Sequence, residues 1–305
     1  MNKYFFFFLF LLNLYSQKES PFEDLNFIEI SSGSNNKTYK LELEKLTYSR
    51  GSGIERIKKE ILEASKNRDF KKVIVLLKQQ IKIEGESTDL LFQLGGINGI
   101  LAYKKKNFLS IVYLNEMMRS FSKSLDLDPN HIPTLEAYIE ALYSVPVIFG
   151  GDKKKAIKLA ERLINISKIS GYLSMARLHF NSGNNEMLNY YLNDFFKELS
   201  NLSICESENL KNFFLKKSNS FPIKISQITS YYKKEVNSGL CSIDFYLNGS
   251  NFKNNLYSLE WIYYLKSKLL LLNGNYDDSI RFTKLSLEIN PDFQLSKKLL
   301  RKLYN

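Results

Sequence analysis

Residues 121–160 read FSKSLDLDPNHIPTLEAYIEALYSVPVIFGGDKKKAIKLA, and no other stretch limits the fold as much. It contains the end of one helix, a proline-bearing turn, a second helix, a Gly-Gly turn and a third helix. Pro129 stops the first helix because it lacks an N–H and its ring collides with the preceding turn. Pro133 falls where a first helical turn tolerates it. Near the end of the chain, residues 282–303 read FTKLSLEINPDFQLSKKLLRKL and repeat the first part of that pattern. Self-similarity on this scale implies a solenoid, in which each helical hairpin buries a face against the next.

The apolar residues carry the helical period through most of the chain. Ile54, Ile57, Ile61 and Ala64 share one helix face, and Phe70, Val73, Leu77 and Ile81 share the next. Helices follow at 90–103 and 111–125, then at 135–142 and 156–166, and then at 172–180 and 188–195. Asp152 suits the N-cap of the 156–166 helix. Residues 206–217, 223–237 and 239–247 are expected to be helical with a weaker repeat pattern, and 248–255 to be a polar loop. The last hairpin, 259–272 with 277–289, is the clearest, and a helix at 295–303 caps the stack. The expected class is all-α, an α-solenoid of helical hairpins over 54–305, preceded by a short extended segment at 17–53. Within that segment, 27–30 and 39–46 alternate as a small hairpin would.

Composition bears on compartment and partners. Lys3 is followed by YFFFFLFLLNL at 4–14 and then Tyr15-Ser16-Gln17. A basic start, a short apolar run and a small residue at the cut describe a signal peptide over 1–16. The run is shorter than the roughly 20 residues a bilayer-spanning helix needs. A periplasmic or secreted protein without stable membrane insertion is therefore expected. The net charge of +11 comes mainly from lysines scattered in short clusters, without an Arg-rich arm, so nucleic acid is not an expected partner. Cys205 and Cys241 could form a disulfide in an oxidising compartment. Two separate buried thiols are the preferred reading, since free cysteine commonly serves as a small core residue.

Several of these residues resemble the tetratricopeptide repeat family. Ser267, Leu270, Gly274, Tyr276, Ser279, Ser286 and Pro291 fall on its pattern of small crossing residues with a proline near the end of each repeat. Tyr172, Ala176 and Gly183 fit a second copy, and Phe121, Ser124 and Pro129 fit the end of a third. The run LDLDPNHIPTLEAYIEALYSVP followed by GGDKKKA is similar to a group of exported bacterial repeat proteins with a P-x-x-x-G-G-D-K-x-x-A insertion. The resemblance covers residues 87–303 and departs from the pattern at 206–237. It implies a scaffold that binds a protein, peptide or small ligand in a concave groove, without catalysis or cofactor. A ligand-delivery subunit for a membrane transporter is the first alternative, and a hydrolase on a helical scaffold the second.

Chemistry-bearing patterns are sparse. His131 and His179 have no carboxylate or cysteine at ligand spacing, so no metal site is expected. His131 reads as a surface residue. No G-x-S-x-G occurs, so no nucleophile elbow is expected and no catalytic residue is assigned. In the resembled family the first helix of each pair lines the groove. The residues left for the groove once the crossing face is assigned are Glu136 and Glu140, then Leu173 and Arg177, then Trp261, Tyr264 and Lys268. Trp, Tyr and Arg are enriched at binding hot spots. Arg177, Trp261, Tyr264 and Lys268 are therefore expected to share one ligand surface, facing a protein or peptide of the cell envelope; the equal alternative for Trp261 is packing under the 239–247 helix, because a large aromatic is highly buried on average.

Export makes the first testable expectation. N-terminal sequencing of the protein from its native host should begin at Gln17. Recovery from the soluble cytosol with Met1 retained would count against export.

Overall fold

The computed structural model describes residues 21–22, 53–104, 109–202, 205–218, 220–249 and 257–304. Both the signal-peptide run at 1–16 and the hairpin expected at 27–46 lie outside the described residues. Those residues hold fourteen α-helices. Four consecutive hairpins come first. They are α1 (Gly53–Lys66) with α2 (Phe70–Glu84), α3 (Thr88–Lys104) with α4 (Leu109–Leu127), α5 (Ile132–Ser144) with α6 (Lys153–Ile166), and α7 (Lys168–Ser182) with α8 (Asn185–Asn201). A short helix, α9 (Ser207–Phe214), interrupts the series. Two further units follow, α10 (Phe221–Tyr232) with α11 (Val236–Asn248) and α12 (Leu259–Leu272) with α13 (Tyr276–Ile289), and α14 (Gln294–Tyr304) closes the chain. The expected all-α stack of helical hairpins is what the chain forms.

Local chemistry sets the helix ends. The Asp152 carboxylate accepts from the Lys155 N–H at 2.9 Å, so it caps α6 as the sequence predicts. Asn184 and Asn275 cap α8 and α13 in the same way. Gly183 and Gly274 take positive φ at the turns of the α7–α8 and α12–α13 hairpins, which β-carbon-bearing residues adopt at a cost. The predicted crossing residues Leu135, Tyr138, Ile139 and Leu142 are all buried on α5.

The two halves of the sequence repeat also share one pattern of side-chain contacts. On α4 the Ser124 hydroxyl reaches the Thr88 carbonyl of α3 at 3.0 Å and the Thr134 hydroxyl of α5 at 2.8 Å. Ser286 on α13 likewise reaches the Glu260 carbonyl of α12 at 2.7 Å and the Ser296 hydroxyl of α14 at 2.7 Å. Between each pair lies the same turn. The side-chain oxygen of Asp128 accepts from the Asn130 N–H at 2.9 Å, and that of Asn290 accepts from the Asp292 N–H at 3.1 Å. Each turn then presents a ring edge-on to the first helix of its hairpin, His131 to Phe92 at 5.7 Å and Phe293 to Tyr264 at 5.9 Å. His131 is thus not the surface residue expected. Its Nδ1 meets the Thr134 hydroxyl at 2.7 Å and its Nε2 lies 3.3 Å from Asp89. Where the α3–α4 crossing has Gly95 against Phe121, the α12–α13 crossing has Ser267 hydrogen-bonded to Thr283 at 2.6 Å. A large–small pair and a medium–medium pair fill the same space, in keeping with the volume rule for close-packed interiors.

The joint between α7–α8 and α10–α11 is made chiefly by side chains. Leu173 and Ala176 of α7, Phe195 of α8, Phe214 of α9 and Ile225 of α10 belong to one buried cluster. Here the sequence reading of the cysteines needs correction, since Cys205 and Cys241 are disulfide-bonded with Cα atoms 5.4 Å apart. Cys205 is exposed on the approach to α9, so it is not the buried thiol expected. The bridge ties that approach to α11.

Helix separation provides a test. A β-carbon on Gly171 of α7 would lie 2.3 Å from the Ile164 backbone nitrogen of α6, whereas one on Gly96 of α3 meets nothing within 4 Å. Gly171→Ala should lower the urea-unfolding free energy by about 1–3 kcal/mol. Gly96→Ala should raise it by about 0.5–1 kcal/mol, because alanine restricts the unfolded chain. Equal effects from the two substitutions would contradict this packing.

Candidate functional site: a groove between α5, α7 and α10

The groove is formed where three first helices face one another at the interrupted joint. Glu136 and Glu140 come from α5, Leu173, Ser174 and Arg177 from α7, and Phe221, Lys224 and Ile228 from α10. They line an open cleft with a cavity volume of ≈ 30 Å³. Pro21 and Phe22 line it as well. Helical geometry explains the selection. Glu136 and Glu140 are one turn apart, as are Leu173 and Arg177, and Phe221, Lys224 and Ile228 follow at spacings of three and four.

Charge in the groove is paired rather than uniform. The Arg177 guanidinium donates to the Glu140 carboxylate, linking α7 to α5. Lys224 Nζ lies 3.8 Å from a carboxylate oxygen of Glu136, linking α10 to α5. Glu136 is only 8% exposed, so these links act away from bulk water, where opposite charges attract more strongly. Lys217 stands behind the groove wall, donating to the hydroxyls of Ser167 and, at 2.8 Å, of Ser170. Its ammonium also lies over the rings of Phe213 and Phe221, each 5.3 Å away. Burial pushes the Lys217 amine down to about 8, partly opposed by the Glu136 carboxylate. At pH 7 it remains a cation that donates to both serines. A general base for either hydroxyl would have to be a neutral amine.

The four residues expected to share a ligand surface are divided. Arg177 is in the groove. Trp261 is 2% exposed and stacks on Tyr257 at 5.3 Å, in a cluster with Ile223, Ile243 and Tyr246. Tyr264 is 8% exposed and occupies the place on α12 that Phe92 occupies on α3, against the turn that follows the second helix. Trp261 and Tyr264 are core residues, because the outward face of α12 is covered by α10, α11 and α14. Lys268 is half-buried on α12. None of these three lines the cavity. Glu136, Glu140 and Leu173, which the sequence places on groove-facing positions, do line it. Reasoning from the sequence missed Phe221, Lys224 and Ile228, although their spacing signals one helix face. It also missed Pro21 and Phe22, which carry no periodic signal. His179 packs flat on Tyr191 at 5.4 Å, and burial lowers its basicity. Among the described residues no cluster of histidine, cysteine, aspartate or glutamate is arranged to hold a metal ion.

Comparison with known proteins gives similarity of structure. No family model matches the chain, and no curated protein matches it. A tetratricopeptide repeat protein from Parabacteroides merdae superposes with a TM-score of 0.30 at 14% identity, covering 84% of this chain and all of the other. The Cut9–Hcn1 hetero-tetramer of the APC/C superposes with a TM-score of 0.32 at 16% identity over 96% of this chain. This chain spans 64% of the length of that second one.

Lys217 supplies a pH test. Its folded value of about 8 lies below the ordinary 10.5, so between these pH values the unfolded chain binds more protons. Stability contributed at this position therefore rises with pH across the window, and the cost of burying the cation is fully present below about pH 8. Tyr232, raised by burial to about 12, acts in the opposite direction above pH 10 and is common to both proteins compared. The stability of the wild type minus that of Lys217→Met should increase by about 1–3 kcal/mol between pH 8 and 10 in urea unfolding. A flat difference would mean that Lys217 is solvated.

Proposed function

We propose that the protein is an exported interaction scaffold that holds an extended segment of a partner protein in the groove between α5, α7 and α10. The observation that carries this reading is the mixed lining of that groove. Carboxylates at Glu136 and Glu140 and cations at Arg177 and Lys224 stand beside the apolar walls of Leu173, Phe221 and Ile228. An extended peptide offers N–H and C=O groups along its length and side chains on alternating sides. A lining that can accept, donate and bury apolar groups within one turn of helix suits such a ligand. The ion pairs also hold the three helices in place before a ligand arrives, which lowers the ordering cost of binding.

Two observations support export. The apolar run at 4–14 has the length of a signal sequence. The Cys205–Cys241 bridge belongs to an oxidising compartment. Among the described residues no helix is long and apolar enough to cross a membrane. On this reading the partner is a protein of the cell envelope, and neither a cofactor nor nucleic acid is required.

Ser174 lines the groove without taking part in its ion pairs, which makes it the place for a probe. A photo-crosslinking amino acid at Ser174, in cells of the native host, should give a discrete protein adduct identifiable by mass spectrometry. The same probe at exposed Tyr276 on α13 should give none. Failure of the Ser174 probe to label any protein would sink the proposal.

A further inference from the structure

We propose that Pro21 and Phe22 are a tethered occupant of this groove, and that a partner enters by displacing them with a proline–aromatic pair of its own. The inference rests on reading the groove as a peptide site. Phe22 is 6% exposed and shares the buried cluster of Leu173, Ile225 and Ile228. Its ring meets that of Phe180 on α7 at 5.2 Å. In sequence it stands far from every helix of the stack, since residues 23–52 separate it from α1. Its side chain is anchored there by burial.

Contacts that do not involve this occupant also hold the groove walls. Arg177 with Glu140 and Lys224 with Glu136 fix α5, α7 and α10 relative to one another. Lys217 with Ser170 fixes the wall behind. Proline suits the neighbouring position, because it has no N–H to satisfy and its fixed φ fits the turn formed at residues 21–22. A partner presenting the same pair meets the same apolar anchor and the same polar rim. It must compete with a segment of the same chain, whose binding is intramolecular. The tether therefore weakens apparent affinity in proportion to its own occupancy.

The test uses the full chain, its Phe22→Ala variant and a fluorescein-labelled peptide of residues 17–26, QKESPFEDLN. Fluorescence anisotropy should show saturable binding to Phe22→Ala, and at least tenfold weaker binding to the wild type. A peptide with alanine in place of phenylalanine should bind neither. Absence of binding to a folded Phe22→Ala chain, or equal affinity for both chains, would overturn the proposal. If Phe22→Ala does not fold, a wild-type chain with a protease site inserted after residue 26 replaces it. After cleavage the released N-terminal peptide should leave on gel filtration and the labelled peptide should enter. Retention of the cut peptide until the protein unfolds would mark Phe22 as a structural wedge and defeat the idea. The two readings fail separately. Peptide binding without a Ser174 adduct leaves the tethered occupant and removes the partner. A Ser174 adduct of equal yield in wild type and Phe22→Ala leaves the scaffold and removes the tether.

Discussion

The joint between α8 and α10 governs how this molecule behaves. In a stack of hairpins each unit is stabilised by its immediate neighbours alone, so a weak joint cannot be compensated from elsewhere. Here the regular succession is broken by α9, and the gap is filled by side chains from α7, α8, α9 and α10 together with Phe22. Burying such apolar surface contributes roughly 25 cal/mol per Å², which makes this cluster the main tie between the two ends of the stack. Polar links then orient what the apolar contacts hold. Lys217 bonds Ser170 across the joint, and Lys234 reaches Asn193 of α8 at 3.3 Å. The groove exists because the joint is open enough to leave a cavity and closed enough to keep its walls fixed.

Much of the fold was legible in the sequence, for a physical reason. Amphipathic hairpins announce themselves by the 3.6-residue period, and their turns by proline, glycine and Asx residues. That is why the α12–α13 unit and the Asp128-Pro129-Asn130 turn were expected where they occur. The class of the groove-lining helices was equally accessible, since assigning Leu135, Ile139 and Leu142 to the crossing face leaves Glu136 and Glu140 on the other. The reading failed at Trp261 and Tyr264 because periodicity gives the direction of a side chain without saying what lies opposite. On α12 several neighbouring elements cover the face that α5 and α7 leave open. Hot-spot enrichment of aromatics is a statistical tendency, and large aromatics are highly buried on average.

Cys205 and Cys241 illustrate a different limit. Bridging depends on Cα separation and direction, neither of which follows from spacing along the chain. Pro21 and Phe22 mark a third limit, because two residues cannot display a period. The repeated joint at Ser124 and Ser286 is instructive in the opposite sense. The same hydrogen-bond pattern is built from Thr134 in one copy and Ser296 in the other, and a Gly–Phe pair is exchanged for a Ser–Thr pair. What recurs is the space and the hydroxyl, more than the residue.

The disulfide has a mechanical consequence. It closes a loop across a sequence separation of 36 residues, containing α9 and α10, and attaches the start of that loop to α11. If the joint is strained by tension along the stack, α9 cannot follow α8. It is carried with the C-terminal units, and the parting plane falls between Phe195 on one side and Phe214 on the other. The covalent link therefore decides what moves together beside the groove: α9 stays with α10 and α11.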